Sequence, residues 1–209
     1  MKFLSHKLSA AMWSRVLLLW LTLGIAAVAA GGAALYMGQF IQSNIHEELS
    51  VQQITFSPAD KLADEEKAIP GMVDNAGLPL TTGNQAKIYS ELIALHVGES
   101  AESAGYPGES YATIGTIQRQ LRADVAAATE AKDDAAREKA QAELDKVTNL
   151  RTTMLTASTL RGNLLSAYGW DNFGTGVGTV GIVIIVLGVL FLGLFIYELR
   201  LGHLPATQA

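Results

Sequence analysis

The chain contains no cysteine, which excludes disulfides, thiolate metal sites and cysteine nucleophiles. Any part outside a membrane must therefore hold itself together by packing. Histidine is scarce as well: there are four, and only His46 and His96 lie away from the two tails. Acidic residues are missing from the first 15 positions, which carry Lys2, Lys7 and Arg15. No G-x-S-x-G nucleophile elbow occurs anywhere. Asp, Glu, Lys, Arg and His are absent from two long runs, 26 residues at 16–41 and 25 residues at 173–197.

Those two runs set the anatomy. At about 1.5 Å rise per residue each reaches roughly 37–39 Å, enough to cross a hydrocarbon core of about 30 Å. A helix satisfies its own backbone in lipid, so both read as transmembrane helices. The first also resembles a secretory signal, with a basic start and Ala27-Val28-Ala29 as a small-residue cleavage site. Its apolar character continues well past that point, so an uncleaved anchor is the expected form. The two tails hold 4 of the 15 Lys and Arg residues and 1 of the 20 Asp and Glu residues. Between the spans stand 11 basic and 19 acidic residues, a formal charge of −8. Basic flanks stay cytoplasmic, which predicts a multi-pass plasma-membrane protein with both termini in the cytoplasm.

The predicted layout is a cytoplasmic tail at 1–15, a first span at 16–41, an extracytoplasmic helical domain at 42–171, a second span at 172–197 and a tail at 198–209. The fold class is mainly α. Within the domain, residues 42–53 either continue the first helix or unwind. Residues 54–84 hold Pro58, Pro70, Pro79, Gly71, Gly77 and Gly83, too much punctuation for a long helix; a short extended piece at 51–56 is possible there. Helical spacing of Ile88, Leu92, Leu95 and Ala101 follows, with Ile93 and Val97 beside them. Gly105-Tyr106-Pro107-Gly108 breaks that helix. No Gly or Pro then occurs from Thr116 to Arg161, and 123–142 contains nine Ala among charged residues. Leu144, Val147, Leu150, Met154, Ala157 and Leu164 mark an apolar face beyond it. An unbroken helix over 111–168 would be roughly 85 Å long, and stable helices draw most of their energy from packing. A helical hairpin turning near 132–134 is expected instead, with its charged tip at about 119–148 solvated.

Little chemistry is visible. Glu91, His96 and Glu99 form the one candidate ligand or metal cluster, on the middle helix, where His96 and Glu99 share a face. Three ligands with a single histidine make a poor metal set, so no metal or cofactor is expected. The glycine-rich start of the second span lacks the Lys-Ser/Thr of a phosphate loop and a preceding strand. Gly174, Gly178 and Gly181 there, with Gly31 and Ala27 in the first span, are small residues of the kind that let helices approach closely in lipid. They suit packing of the two spans on each other or on a partner's helices. Tyr36, Tyr168 and Trp170 fit an interfacial aromatic belt. The acidic middle excludes nucleic acid as a partner.

The runs QAKIYSELIALHVGESA, GESYATIG and LRTTMLTASTLRGNLLSAYG, the last leading into a glycine-rich span, resemble a group of small two-span membrane proteins of actinobacteria. The stretch from ITFSPADK to IPGMV is similar too. The resemblance covers about 1–118 and 149–202 and makes the Ala- and charge-rich stretch between them look like an insertion. It implies a topology and no mechanism. Members often carry the label aromatic ring-opening dioxygenase, a chemistry for which this chain has no 2-His-1-carboxylate set.

The expectation is a non-enzymatic accessory or scaffold subunit of a larger membrane complex, such as a respiratory one. Its partners would be membrane lipid and other integral membrane subunits. The alternative is an extracytoplasmic ligand-, lipid- or metal-binding module, in which residues 54–84 act as a lid over the Glu91–Glu99 helix.

Overall fold

A computed structural model describes residues 10–201. The chain is mainly helical: α1 (Ala10–Val51), α2 (Asp64–Lys67), α3 (Gly83–Ser103), α4 (Tyr111–Glu130) and α5 (Asp134–Leu201). Among the described residues there is no strand, only one antiparallel bridge between Thr55 and Pro79. Met12–Val51 and Asp134–Arg200 are long and apolar enough to cross a membrane, and only 17% and 11% of their most apolar windows are buried. Core helices of a soluble protein would be mostly covered. The chain divides into two compact units, one comprising the start of α1 and the end of α5 and the other Ile45–Gly169.

In the first unit α1 and α5 run antiparallel, and glycine sets how near they come. A methyl group added to Gly31 would lie 2.6 Å from the Gly181 carbonyl oxygen and 2.8 Å from the Ile185 nitrogen. Gly38 meets Gly174 in the same way at 2.6 Å, and Gly188 meets the Gly24 oxygen at 2.9 Å. The pairs 24–188, 31–181 and 38–174 step by seven residues on both helices, in opposite directions. A seven-residue repeat is the period that winds two helices left-handedly about each other. With no side chain between them, the backbones touch, and Cα–H···O contacts become available. Trp20 stacks on Phe191 at 5.5 Å, and Gln42 Nε2 donates to Thr175 Oγ1 at 2.7 Å. The outward faces carry Leu18, Ile25, Phe40, Val183 and Leu190, all half-exposed or more.

The second unit is built on α3, α4 and the N-terminal part of α5. Thr82 caps α3: its hydroxyl accepts from the Gln85 backbone at 3.3 Å, while Gln85 Oε1 accepts from the Thr82 nitrogen at 3.1 Å. Ser110 and Thr113 make the equivalent cap on α4. At the end of α4, Lys132 takes a left-handed conformation (φ 55°), and the Asp133 nitrogen reaches back to the Ala128 oxygen at 3.0 Å. Asp133 Oδ1 then accepts from the Ala136 nitrogen and opens α5. The Gly- and Pro-free stretch is thus helical on both sides of a three-residue break at 131–133.

Two apolar clusters hold this unit. Phe56, Leu62, Met72 and Leu80 from the irregular segment close over Ala86 and Leu92 of α3 and Leu164 of α5. Ala101, Ile114, Val147, Leu150 and Met154 form the second cluster, joining α3, α4 and α5. The buried line on α3 includes Ala86 and Ser90, small residues that allow close contact, whereas the larger Leu95 is only half-buried. α1 stays helical to Val51, so no extended piece begins there.

The glycine register makes a sharp prediction. Gly31→Ala places its methyl against backbone, which has nowhere to move, and should cost about 1–3 kcal/mol as overpacking. Gly32→Ala meets open space and should leave stability unchanged or slightly higher. Thermal unfolding of both variants in one detergent checks this; equal midpoints would contradict the register.

Candidate functional site

The irregular segment, α2 within it, and α3 bring together one of two polar groups in the Ile45–Gly169 unit. The Ala63 nitrogen donates to Glu66 Oε2 at 2.9 Å, which aims the carboxylate, and Glu66 Oε1 meets His96 Nε2 at 2.7 Å. These hydrogen bonds, the backbone one foremost, hold the Glu66 carboxyl below the usual range. One turn from the start of α3, Gln85 Nε2 donates to Asn75 Oδ1 at 3.1 Å. Gly71 (φ 82°) lets the chain pass Ile88 where a Cβ would come within 2.8 Å of its Cδ1. The segment is therefore clasped to α3 at both ends and sealed by Phe56, Leu62, Met72 and Leu80 between them.

This arrangement changes the cluster expected from the sequence. His96 is engaged by Glu66 from the irregular segment, not by Glu91 or Glu99 on its own helix. Glu99 is exposed and Glu91 half-buried. Among the described residues no three His, Asp or Glu side chains gather into a group able to hold a metal ion. His96 instead shares its hydrogen bond with Glu66 across the irregular segment. As a lid, residues 54–84 close on packed side chains.

At the base of the α4–α5 pair lies a second polar group. Gln118, 3% exposed, donates to Thr148 Oγ1 at 2.8 Å and accepts from Arg151 Nη1 at 2.9 Å. The Arg151 guanidinium covers the Tyr111 ring at 4.5 Å and lies over Gly115, where an added methyl group would sit 3.2 Å from Nη2. Beside it the Tyr106 hydroxyl donates to Glu143 Oε1 at 2.6 Å, with Lys146 Nζ 3.5 Å from the same oxygen. Burial first, and then the Glu143 carboxylate, pushes the Tyr106 hydroxyl up to about 12, while that hydrogen bond holds Glu143 below its ordinary value. These groups fix the base of the pair; the arrangement is structural.

Above that base, residues 122–142 contribute no fully buried side chain. Val147, which falls inside the stretch that looks like an insertion, is fully buried, so the exposed arm is shorter than 119–148. The small residues named from the sequence resolve as follows. Gly31, Gly174 and Gly181 face the chain's own other helix, a methyl group added to Gly178 would lie 3.9 Å from Leu35 Cδ1 there, and Ala27 is half-buried. Contact between the two apolar helices therefore involves the glycines among them. Gly24, Gly38, Gly188, Glu66 and Gln118 were not singled out from the sequence. The seven-residue glycine interval was a usable signal for the first three; nothing local marks the other two.

No protein-family model, curated protein or solved structure matches the chain.

Acid should loosen the clasp. A depressed carboxyl pKa contributes stability that is complete above the unfolded value, about 4.3, and is lost as pH falls through the lower folded value. Glu66→Gln should therefore melt below the parent at pH 7, with the gap narrowing as pH falls below about 4.3. A gap independent of pH would show that the charge does not matter. Tyr106 behaves in the opposite sense: its raised pKa gives stability that is complete below about pH 10 and lost as pH rises through about 12. Alkaline absorbance titration should find one tyrosine ionising late, and Tyr106→Phe should remove that late step.

Proposed function

We propose that the chain is a non-enzymatic accessory or scaffold subunit of a larger membrane complex. In this reading α1 and α5 cross the plasma membrane, both termini are cytoplasmic, and residues 42–171 stand outside. The basic N-terminal tail and the acidic middle support that orientation. The half-exposed apolar residues on the outward faces of α1 and α5 suit lipid or the helices of other subunits.

The observation that carries the reading is the arm at 122–142. It is capped at its turn, held at its base by the Tyr106–Glu143 and Gln118–Arg151 contacts, and adds no fully buried side chain to either core cluster. A segment that is well built but contributes so little burial serves a surface. A second reading, a module for an apolar ligand, is supported by a shallow groove between α3 and α5 lined by Ile93, Thr152, Thr153, Thr156, Ala157 and Leu160. Native mass spectrometry of the purified protein would show the bound mass this second reading requires.

The test of the scaffold reading is a mild-detergent pull-down of the full chain beside a variant lacking 123–142, closed by a short turn. The parent should bring down another polypeptide in fixed ratio. The shortened chain should keep its helicity and membrane insertion and lose that polypeptide. Recovery of the parent with no other polypeptide would sink the scaffold idea. Failure of the shortened chain to accumulate would show that the arm belongs to the core.

A further inference from the structure

The outer side of α5 below the arm is exposed and carries no charge. Among Asp, Glu, Lys, Arg and His, only Arg161 occurs from Thr152 to Trp170. Its Nε donates to the Ser90 backbone oxygen of α3 at 3.0 Å, so it faces inward. Thr152, Thr156, Thr159 and Asn163 are all exposed, and steps of four, three and four place them on one straight stripe at about 100° per residue. The three threonine hydroxyls donate to backbone oxygens one turn back, at 3.0, 3.1 and 3.0 Å, and need no outside acceptor. The Asn163 side-chain amide has no hydrogen bond among the described residues. The two flanks of the stripe differ. On one, roughly 80° round from Thr152, Leu160 lies with Thr153, Ala157 and Ile93 of α3 in the shallow groove, whose lip is Thr152 and Thr156. On the other, roughly 60° the opposite way, Leu155 stands 48% exposed.

We infer that the chain pairs with a second copy along this stripe, α5 beside α5, with Leu155 of each copy seated in the groove of the other. In a two-fold pair of parallel helices every stripe residue meets its own twin, and the left flank of one helix faces the right flank of the other. Symmetry alone then brings Leu155 level with the groove at 152–160, on both sides of the pair. Twin contact is repulsive for any charged residue. The stripe has none, although 42–171 as a whole is 8 charges in excess acid. An amide is both donor and acceptor and so bonds to its own copy, which suits Asn163 to fix the register. The short threonine side chains let the helices approach toward the lower end of about 8–10 Å. Small-ligand sites enclose most of what they hold; a groove this open suits a side chain presented by a second helix. Both copies stand the same way up, as copies inserted alike in one membrane do, and that confinement raises their effective concentration. No foreign subunit is needed, so this inference stands apart from the scaffold reading, and it gives the groove an occupant other than a small ligand.

The test uses the full chain, which is cysteine-free. On mild oxidation of intact membranes T159C should form a disulfide with its own twin. S158C, exposed but turned about 100° further from the stripe, should not. With two different tags co-expressed and extracted in mild detergent, copy-to-copy capture should fall at least about fivefold with L155A and persist with L155M. Leu155 is half-exposed in the single chain, so L155A should keep the parent's thermal midpoint in a detergent harsh enough to separate the copies. That separates lost pairing from lost folding. Equal cross-linking of T159C and S158C, cross-linking of neither, or capture unchanged by L155A would each overturn the inference. So would native mass spectrometry that finds only single copies, whether bare, carrying an acyl chain or joined to a foreign polypeptide.

Discussion

Backbone-to-backbone contact between α1 and α5 is the constraint on which the apolar part of the chain depends. Where the surroundings are as apolar as the side chains, no hydrophobic force drives two helices together, and close fit must do it. Glycine at 24, 31 and 38 against 188, 181 and 174 gives that fit at three levels, with separations that leave no room for a methyl group. One register satisfies all three pairs at once. A slip by one residue would place Leu23 or Ile25, Ala30 or Gly32, and Met37 or Gln39 in the contact and lose the repeated close approach. The side-chain bond from Gln42 of α1 to Thr175 of α5 adds direction to a contact made largely by shape.

The Ile45–Gly169 unit solves a different problem. It has no disulfide and few large apolar residues, yet Phe56, Met72, Leu80, Ile114 and Met154 are all less than 2% exposed. The irregular segment makes this possible by turning four apolar side chains inward onto two helices while its prolines and glycines carry the chain round the outside. Its polar anchors lie at the rim: Glu66 with His96, and Asn75 with Gln85. Each satisfies groups that the irregular backbone would otherwise leave to solvent, and each ties a loop residue to α3. The segment is a structural cover whose apolar side is core.

The same economy governs the base of the arm. Gln118 and Arg151 are polar groups near a buried cluster, held by each other, by Thr148 and by the Tyr111 ring. The two bonds of Gln118 favour one alignment of α4 on α5, while Arg151 Nε stays buried without a hydrogen-bond partner among the described residues.

The sequence by itself determined the two apolar helices, the mainly helical fold, the break after Ser103 and the helical tendency of the Ala- and charge-rich stretch. Each of these follows from local composition: absent charge, apolar spacing, Gly-Tyr-Pro-Gly, and alanine's propensity. Seven-residue glycine spacing was also written in the chain, though only the contact shows that it means pairing of these two helices. What the tertiary structure alone decided is which distant residues meet. His96 turns to Glu66, thirty positions away, because the irregular segment folds across α3; helical spacing alone pointed to Glu99. Val147 belongs to the core and its neighbours do not, because the α4 side chains that cover it come from the far side of a turn. Local pattern reports propensity; pairing over long separations depends on the path of the whole chain, and a single sequence records that path only indirectly.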